Sequence, residues 1–469
     1  RWPWSRELHA ELIQKLAASG AKVIGQTVMF LEPQRDPGMK YVQDLIKFFA
    51  NASFNDVPAD IDALSTMLES SSQNNAAVDE ILRFYLGTSL HGRLNQDLDT
   101  LKARLIEAEQ TLDTDSKLAA AMSDSKNVVL SMPFMLGVPR GKPDAELPEY
   151  VLTNNLTTIH DRIGAVSQGL YPITSISAVP PIDSLGPLAA AIGHLNVIPD
   201  VDGAVRSEAL VIKHYDRFYP SIALQLAAKS LNLDNSDIKV NLAESIELGS
   251  LEIKTDSQLL MNTFFYSDIE GFPPFQVDSF YDVYSGKIPL EKYNGKIVLI
   301  GATAQGIGNS QVTPVDPALP PVLTLAHSVS SILNEDFFIV PDWGIWLTIA
   351  AFLLIAVYLM VVMPKLKAGV AFALTLVLLL ILVATHYILM TGSTIWVPLM
   401  TPAALLVIGH LLITTKRFLV TERGKLKSDE ESSESNRMLG IAFQSQGQLD
   451  MAFEKFRKCP LQDDQVKEA

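Results

Sequence analysis

The chain has 469 residues, a formal net charge of -15 and a single cysteine, Cys459. Such an acidic chain lacks the basic face that a broad nucleic-acid footprint needs, and a lone thiol excludes an internal disulfide framework or a cysteine metal cluster. The length suits two or three domains, and the 48% hydrophobic content is concentrated between residues 343 and 415.

The chain opens on Arg1 rather than Met, with no signal peptide at this start, so a preceding segment is expected. Residues 5–19 read as a helix with Ser5 as its cap, Leu8, Leu12, Ile13 and Leu16 as the apolar stripe and Gly20 as the stop. "AKVIGQTVMF" (21–30) follows as a buried strand, and helix before strand points to α/β layers. Residues 76–122 are helical in pattern. Leu94, Leu98, Leu101 and Leu105 form a short stripe that either packs on the domain's own sheet or makes a dimer contact. "NVVLSMPF" (127–134) is the next strand, and 139–148 is a polar loop. In 196–229, Asp202-Gly203 marks a tight turn between strands, and a helix begins near Pro220. Strands are expected at 258–265 and 296–300, and a helix over 328–333.

"GKIVLIGATAQGIGNSQVTP" (295–314) has a strand running into glycines. Gly301 and Gly306 have the spacing of a P-loop, but Ile307 and Gly308 stand where its lysine and hydroxyl belong. Gly306 and Gly308 begin a dinucleotide motif that Gln311 leaves unfinished. The glycines are expected to serve a sharp strand-to-loop turn that needs positive φ. There is no HExxH and no GxSxG, and "HDR" (160–162) lacks the downstream DFG of a kinase.

Three apolar runs, 343–363, 368–390 and 396–415, are each long enough to cross about 30 Å of hydrocarbon as helices. The connectors "PKLK" and "TGST" are too short for anything but successive crossings. Lys365 and Lys367 lie in the first connector, and Lys416, Arg417, Arg423, Lys425 and Lys427 follow the third run. The positive-inside rule then puts residues 1–341 outside and 416–469 in the cytoplasm, with Trp343, Trp346 and Trp396 near the outer interface. His386 and His410 are intramembrane polar candidates. Their depths differ by about 15 Å at 1.5 Å per residue, so each is expected to bond a neighbouring helix rather than the other.

Taken in order, "RWPWSRELHAELIQKLAASGAKVIG", "PDVDGAVRS...FYPSIALQLA", "NGKIVLIGATAQGIGNSQVTP" and three spans resemble the type-two CHASE domain, an extracellular sensor of bacterial cyclases, histidine kinases and serine/threonine kinases. The resemblance covers most of residues 1–340 and implies a preceding span and first strand. It also has departures. Thr27 stands where the family commonly carries an acid, and "PPVLTLA" (320–326) lacks the glutamate and histidine of the family's "PGVEIHA". Residues 435–460 look like one tetratricopeptide repeat, with Leu439, Gly440, Phe443, Gly447, Leu449, Ala452 and Phe456 at signature positions. One repeat cannot bury its own apolar face, so further repeats or a protein partner are expected to cover it.

These readings give an α/β extracytoplasmic sensor domain (1–341), three transmembrane helices (342–415), a basic then acidic cytoplasmic linker (416–434), a tetratricopeptide-like α-helical hairpin (435–460) and a tail (461–469). The resemblance implies the sensory part of a receptor in the bacterial cytoplasmic membrane, coupled to a serine/threonine kinase after residue 469. ATP and Mg would belong to that kinase, and no cofactor or metal is expected in this chain. The alternatives are a non-catalytic membrane scaffold and the sensor of a nucleotide cyclase. Trp2, Trp4, Asp200, Asp202, Arg206 and Gly301 are the candidate ligand-binding residues for an unknown outside signal, with turn formation and core packing as the competing reading. A homodimer is the sharper reading of the Leu94, Leu98, Leu101 and Leu105 stripe.

Overall fold

A computed structural model describes residues 4–34, 36–72, 76–143, 145–304 and 309–459. The chain forms two compact units, residues 1–337 and 338–469.

The first unit opens with α1 (Arg6–Ala18), capped by Ser5, whose side chain accepts from Glu7 N, and stopped by Gly20 at φ +83°. Next come β1 (Val23–Gln26) and a helical insertion, α2 (Pro37–Asn51), α3 (Val57–Ser72), α4 (Ala76–Thr88) and α5 (Leu90–Leu112). Then α6 (Thr114–Ser125), β2 (Val128–Met132), β3 (Phe134–Leu136), α7 (Glu149–Leu152), β4 (Thr158–His160), β5 (Thr174–Ala178) and β6 (Ala191–His194) follow. The middle of the unit holds β7 (Ser207–Ala209), β8 (Val211–His214), β9 (Arg217–Pro220) and α8 (Ile222–Ser230). It finishes with β10 (Ile238–Asn241), β11 (Ser245–Leu248), β12 (Leu251–Lys254), β13 (Leu260–Thr263), α9 (Phe280–Tyr284), β14 (Ile297–Ile300) and α10 (Pro321–Asn334).

The organising element is a parallel sheet in the order β14-β1-β2-β6. A parallel sheet is covered on both faces, which explains why β1, β2 and β6 are buried at every position. Ile13 and Leu16 of α1 and Leu118 and Met122 of α6 form one core with Ile24, Leu130 and Ile192. On the other face, α8 lies against β1, β2 and β6, and α10 packs on α8. Glycines set that second spacing. A Cβ on Gly25 would fall 2.8 Å from the Leu299 side chain and 2.9 Å from that of Leu226, and one on Gly193 would fall 2.5 Å from the backbone of Ile222. Two further sheets, β3-β5-β8-β9 and β12-β11-β10-β4, and the antiparallel pair β7 and β13 complete the unit.

The Leu94-Leu98-Leu101-Leu105 stripe packs neither deep in a core nor on the sheet. It lies on α5, which contacts α2 and α3, and no α5 residue is fully buried. Tyr41, Phe48 and Phe84 on the same insertion are strongly exposed. The strand expected over 21–30 is limited to four residues because its ladder partners on β14 end at Ile300.

The second unit has three helices long and apolar enough to cross a membrane. The first is α11 (Asp342–Val357), which widens into a π-helical turn at Tyr358–Val362 and ends in a 3-10 turn at Met363–Lys365. The second is α12 (Ala368–Ser393), which absorbs most of the "TGST" connector. The third, α13 (Met400–Ser445), starts four residues later than the apolar run does. Pro398 explains the delay, since it disfavours helix at the residue before it and donates no N–H. Instead, Ile339 bonds both sides of Ile395, its N–H donating to Thr394 O and its O accepting from Trp396 N. Helix α13 does not stop at residue 415. The segment expected as a linker is helical, and one 46-residue helix runs from the third span into the tail. There α14 (Leu449–Phe456) folds back on it, with Gly447 at φ +74° in the turn.

Replacing Gly193 with Ala tests the second layer. The new methyl would meet fixed backbone, so stability is expected to fall by about 1–3 kcal/mol, typical of overpacking. An unchanged denaturant midpoint would show that α8 can retreat freely.

Candidate functional site

In open α/β sheets ligands bind beyond the carboxyl ends of the parallel strands, which here are Gln26, Ile300, Met132 and His194. Close packing occupies this edge. Thr27 donates both its N–H and its hydroxyl to Ile300 O, each at 3.0 Å. A Cβ on Gly301 would sit 2.4 Å from Thr27 Oγ1 and 2.7 Å from Val322 Cβ. The expected positive φ is not found at Gly301, which is glycine because the start of α10 presses against it. Gly306 and Gly308 lie outside the described residues. The positions of the family's glutamate and histidine are Leu323 and Leu325, and Leu325 is buried in the core.

The remaining described candidates have separate partners. Arg206 grips Asp202 with two bonds, Nη1 to Oδ1 at 2.9 Å and Nη2 to Oδ2 at 2.7 Å, and reaches Asp200 Oδ2 at 2.6 Å. Asp202 Oδ1 also accepts from Ala204 N, and Gly203 turns at φ +83°. Bonding to Arg206 and Ala204 holds the exposed Asp202 carboxyl well below the usual range. Three charges that satisfy one another make a braced turn, and Val205 N ties that turn to Val312 O at 2.7 Å. Trp4 packs edge-on against Phe280 with ring centroids 4.3 Å apart. Trp2 lies outside the described residues.

The carboxyl edge holds polar chemistry that the motifs did not flag. Ser328 on α10 donates to Glu208 on β7 at 3.1 Å. Burial of that carboxyl pushes its pKa up to about 7, against the pull of the Ser328 and Ser221 hydroxyls. Next along α10, His327 Nδ1 accepts from Tyr266 N at 3.1 Å, and Ser331 Oγ bonds both N and O of Phe264. Helix α10 is thus stitched to β7 and to the chain leaving β13. Burial pushes His327 down to about 4 and the fully enclosed His194 down to about 3. Burial, helped by Arg6, brings His9 to about 4, with Gln26 as its partner at 2.9 Å. Among the described residues there is no cluster of three or more His, Cys, Asp or Glu able to hold a metal ion.

A second polar group lies within the apolar helices. Tyr358, in the π turn, donates to Ala371 O at 3.1 Å and bonds Thr375 at 2.8 Å, and Thr375 bonds His410 Nδ1 at 2.9 Å. One chain of hydrogen bonds therefore crosses all three helices. His386 Nδ1 bonds Val397 O at 3.0 Å. The two histidines have separate partners, each outside its own helix. Close approach supports the bundle, since a Cβ on Gly409 would be 2.4 Å from Leu359 Cδ1. In the tail hairpin Gly440 and Ala452 are buried, and the ring of Phe456 fills the space beside Gly440. Leu439 and Leu449 are exposed, Phe443 is half-buried and Gly447 forms the turn.

The chain is thus of the class that joins a mixed α/β domain to three helices long and apolar enough to cross a membrane. The CHASE2 domain matches residues 1–360, and the chain belongs to that family. Comparison with curated proteins and with solved structures finds no match.

Two outcomes follow from this chemistry. His9, His194 and His327 stay neutral in the fold but take a proton near 6.5 when unfolded, so the stability they hold above pH 6.5 is lost as pH falls toward 4. Glu208 works the other way, its contribution fading as pH rises from 4.5 through about 7. Three protons outweigh one, so the melting temperature of the α/β domain is expected to rise between pH 5 and 6.5. A flat or falling profile would contradict the burial of the histidines. In the helices, Tyr358→Phe removes two bonds and is expected to cost about 0.5–2 kcal/mol of bundle stability, read by unfolding in mild detergent. Equal stability of variant and parent would show the chain of bonds to be idle.

Proposed function

We propose that this chain is the sensory and membrane-spanning portion of a bacterial signalling receptor whose output is a serine/threonine kinase C-terminal to it. The observation that carries the proposal is α13, a single helix of 46 residues from Met400 to Ser445. At 1.5 Å per residue it is about 69 Å long, more than twice the thickness of a hydrocarbon core. A rotation or shift of the third span would reach the tail without passing through a flexible joint.

In this reading residues 1–341 face the periplasm or exterior, and the lysines and arginines of the first connector and of α13 face the cytoplasm. A signal acts only through different affinities for two states of the domain. Candidate contact points are Trp2, Trp4, Asp200, Asp202, Arg206 and Gly301, with the Arg206 cluster the only one that presents charge. Exposed Tyr41, Phe48 and Phe84 offer surface to a second copy. The tail hairpin serves as a tetratricopeptide-type repeat, its exposed Leu449 and Phe453 covered by further repeats or a partner. ATP and Mg enter only with the kinase.

The rival is a non-catalytic scaffold, favoured by Thr27, Leu323 and Leu325, which leave the carboxyl edge without the family's polar groups. A nucleotide cyclase output fits the tail less well. Intact mass and peptide mapping of the native polypeptide separate these readings. Peptides carrying HRD and DFG on a polypeptide well above 51.4 kDa are expected. A native mass close to 51.4 kDa would overturn the kinase coupling and leave the scaffold.

A further inference from the structure

Four cations meet at one end of the three-helix bundle. Arg417 on α13 donates from Nη1 to Leu366 O at 3.1 Å and to Met363 O at 3.4 Å, which ties the exit of the third span to the connector between the first two. Lys365 and Lys367 flank Leu366, and Lys416 adjoins Arg417. All four side chains are exposed. None of them pairs with a carboxylate among the described residues. The sequence explains why, because no Asp or Glu occurs between Asp342 and Glu422. Among the described residues, the charge at this end of the bundle is therefore uncompensated.

The surroundings select the counter-charge. Val361, Val370, Phe372 and Leu412 are exposed apolar side chains on the bundle side of the cations, and Phe418, Leu419 and Val420 are exposed just beyond them. An inorganic anion would satisfy the lysines and leave this apolar surface in water. A molecule with a negative head and hydrocarbon tails satisfies both. We infer that Lys365, Lys367, Lys416 and Arg417 form a binding site for the headgroup of an anionic phospholipid, whose acyl chains lie along the exposed faces of α11, α12 and α13. Arg417 holds the site together through its carbonyl bonds, and the three lysines supply free charge. The site rests on the three helices spanning a bilayer and is independent of what the tail is coupled to.

The test uses the full chain purified in detergent, stripped of lipid and titrated with phosphatidylglycerol or with phosphatidylcholine of the same acyl chains, with bound lipid counted by native mass spectrometry. Parent protein is expected to retain phosphatidylglycerol in strong preference. In the triple variant Lys365→Gln, Lys367→Gln, Lys416→Gln the preference should drop on the order of 100-fold, from about fivefold per lysine. Arg417 is left in place so that the connector stays tied, and equal melting of parent and variant in phosphatidylcholine checks the fold. The distal triple Arg423→Gln, Lys425→Gln, Lys427→Gln should keep the preference. Equal retention of the two lipids by the parent, or an unchanged preference in the proximal triple, would overturn the site. So would loss of preference in the distal triple alone, which would mean diffuse charge, or full competition by glycerol phosphate, which would mean an anion site without a lipid. A chain that stays monomeric without detergent would instead overturn the membrane reading beneath it.

Discussion

A backbone in hydrocarbon must satisfy its own hydrogen bonds, and that constraint governs the three apolar helices. It turns each apolar run into a helix and pushes the irregular backbone to the ends, at residues 394–399 and around Leu366. The ends are then tied by specific bonds, Ile339 with Thr394 and Trp396 at one and Arg417 with Leu366 at the other. The π turn is the one irregularity within the apolar length. It coincides with Tyr358, which links to the second span directly and to the third through Thr375 and His410. A wide turn where a tyrosine reaches two partners is a local compromise between helix geometry and polar satisfaction.

The α/β domain follows a different constraint with the same outcome. Its parallel sheet must be covered on both faces, and the glycines at 25, 193 and 301 let α8 and α10 come close enough to do so. The carboxyl edge that a ligand would use is for that reason tightly filled beside Gly301. What it retains is Glu208, Ser328 and His327, which join α10 to β7 and to the chain after β13. Movement of α10 would break those bonds, so the polar groups of this edge hold a conformation in place.

Helix α1 was legible because its cap, stripe and stop are all local: Ser5, then Leu12, Ile13 and Leu16, then Gly20, although Leu8, also expected in the stripe, is only half-buried. The three apolar helices were legible for the same reason, length and composition being local properties. Features that depend on distant partners were not. The length of β1 is set by β14, almost three hundred residues away, and the role of Gly301 by Val322 rather than by its own φ. The Asp200, Asp202 and Arg206 group was visible as charge, yet its mutual pairing depends on the turn at Gly203. Glu208 sits in a three-residue strand whose pattern gives no hint of Ser328. The continuity of α13 was hidden because its charged stretch reads as a polar linker by composition, while nothing in it breaks a helix: no proline occurs between 403 and 459.

That continuity makes the third apolar helix and the tail one mechanical object. It can be measured directly with paired spin labels at Thr415 and Ser433 in the full chain in lipid nanodiscs. Eighteen residues of unbroken helix give a narrow distance distribution centred on about 27 Å. A broad distribution would show that the segment is a flexible linker, and motion of the third span could not then be carried rigidly to the tail.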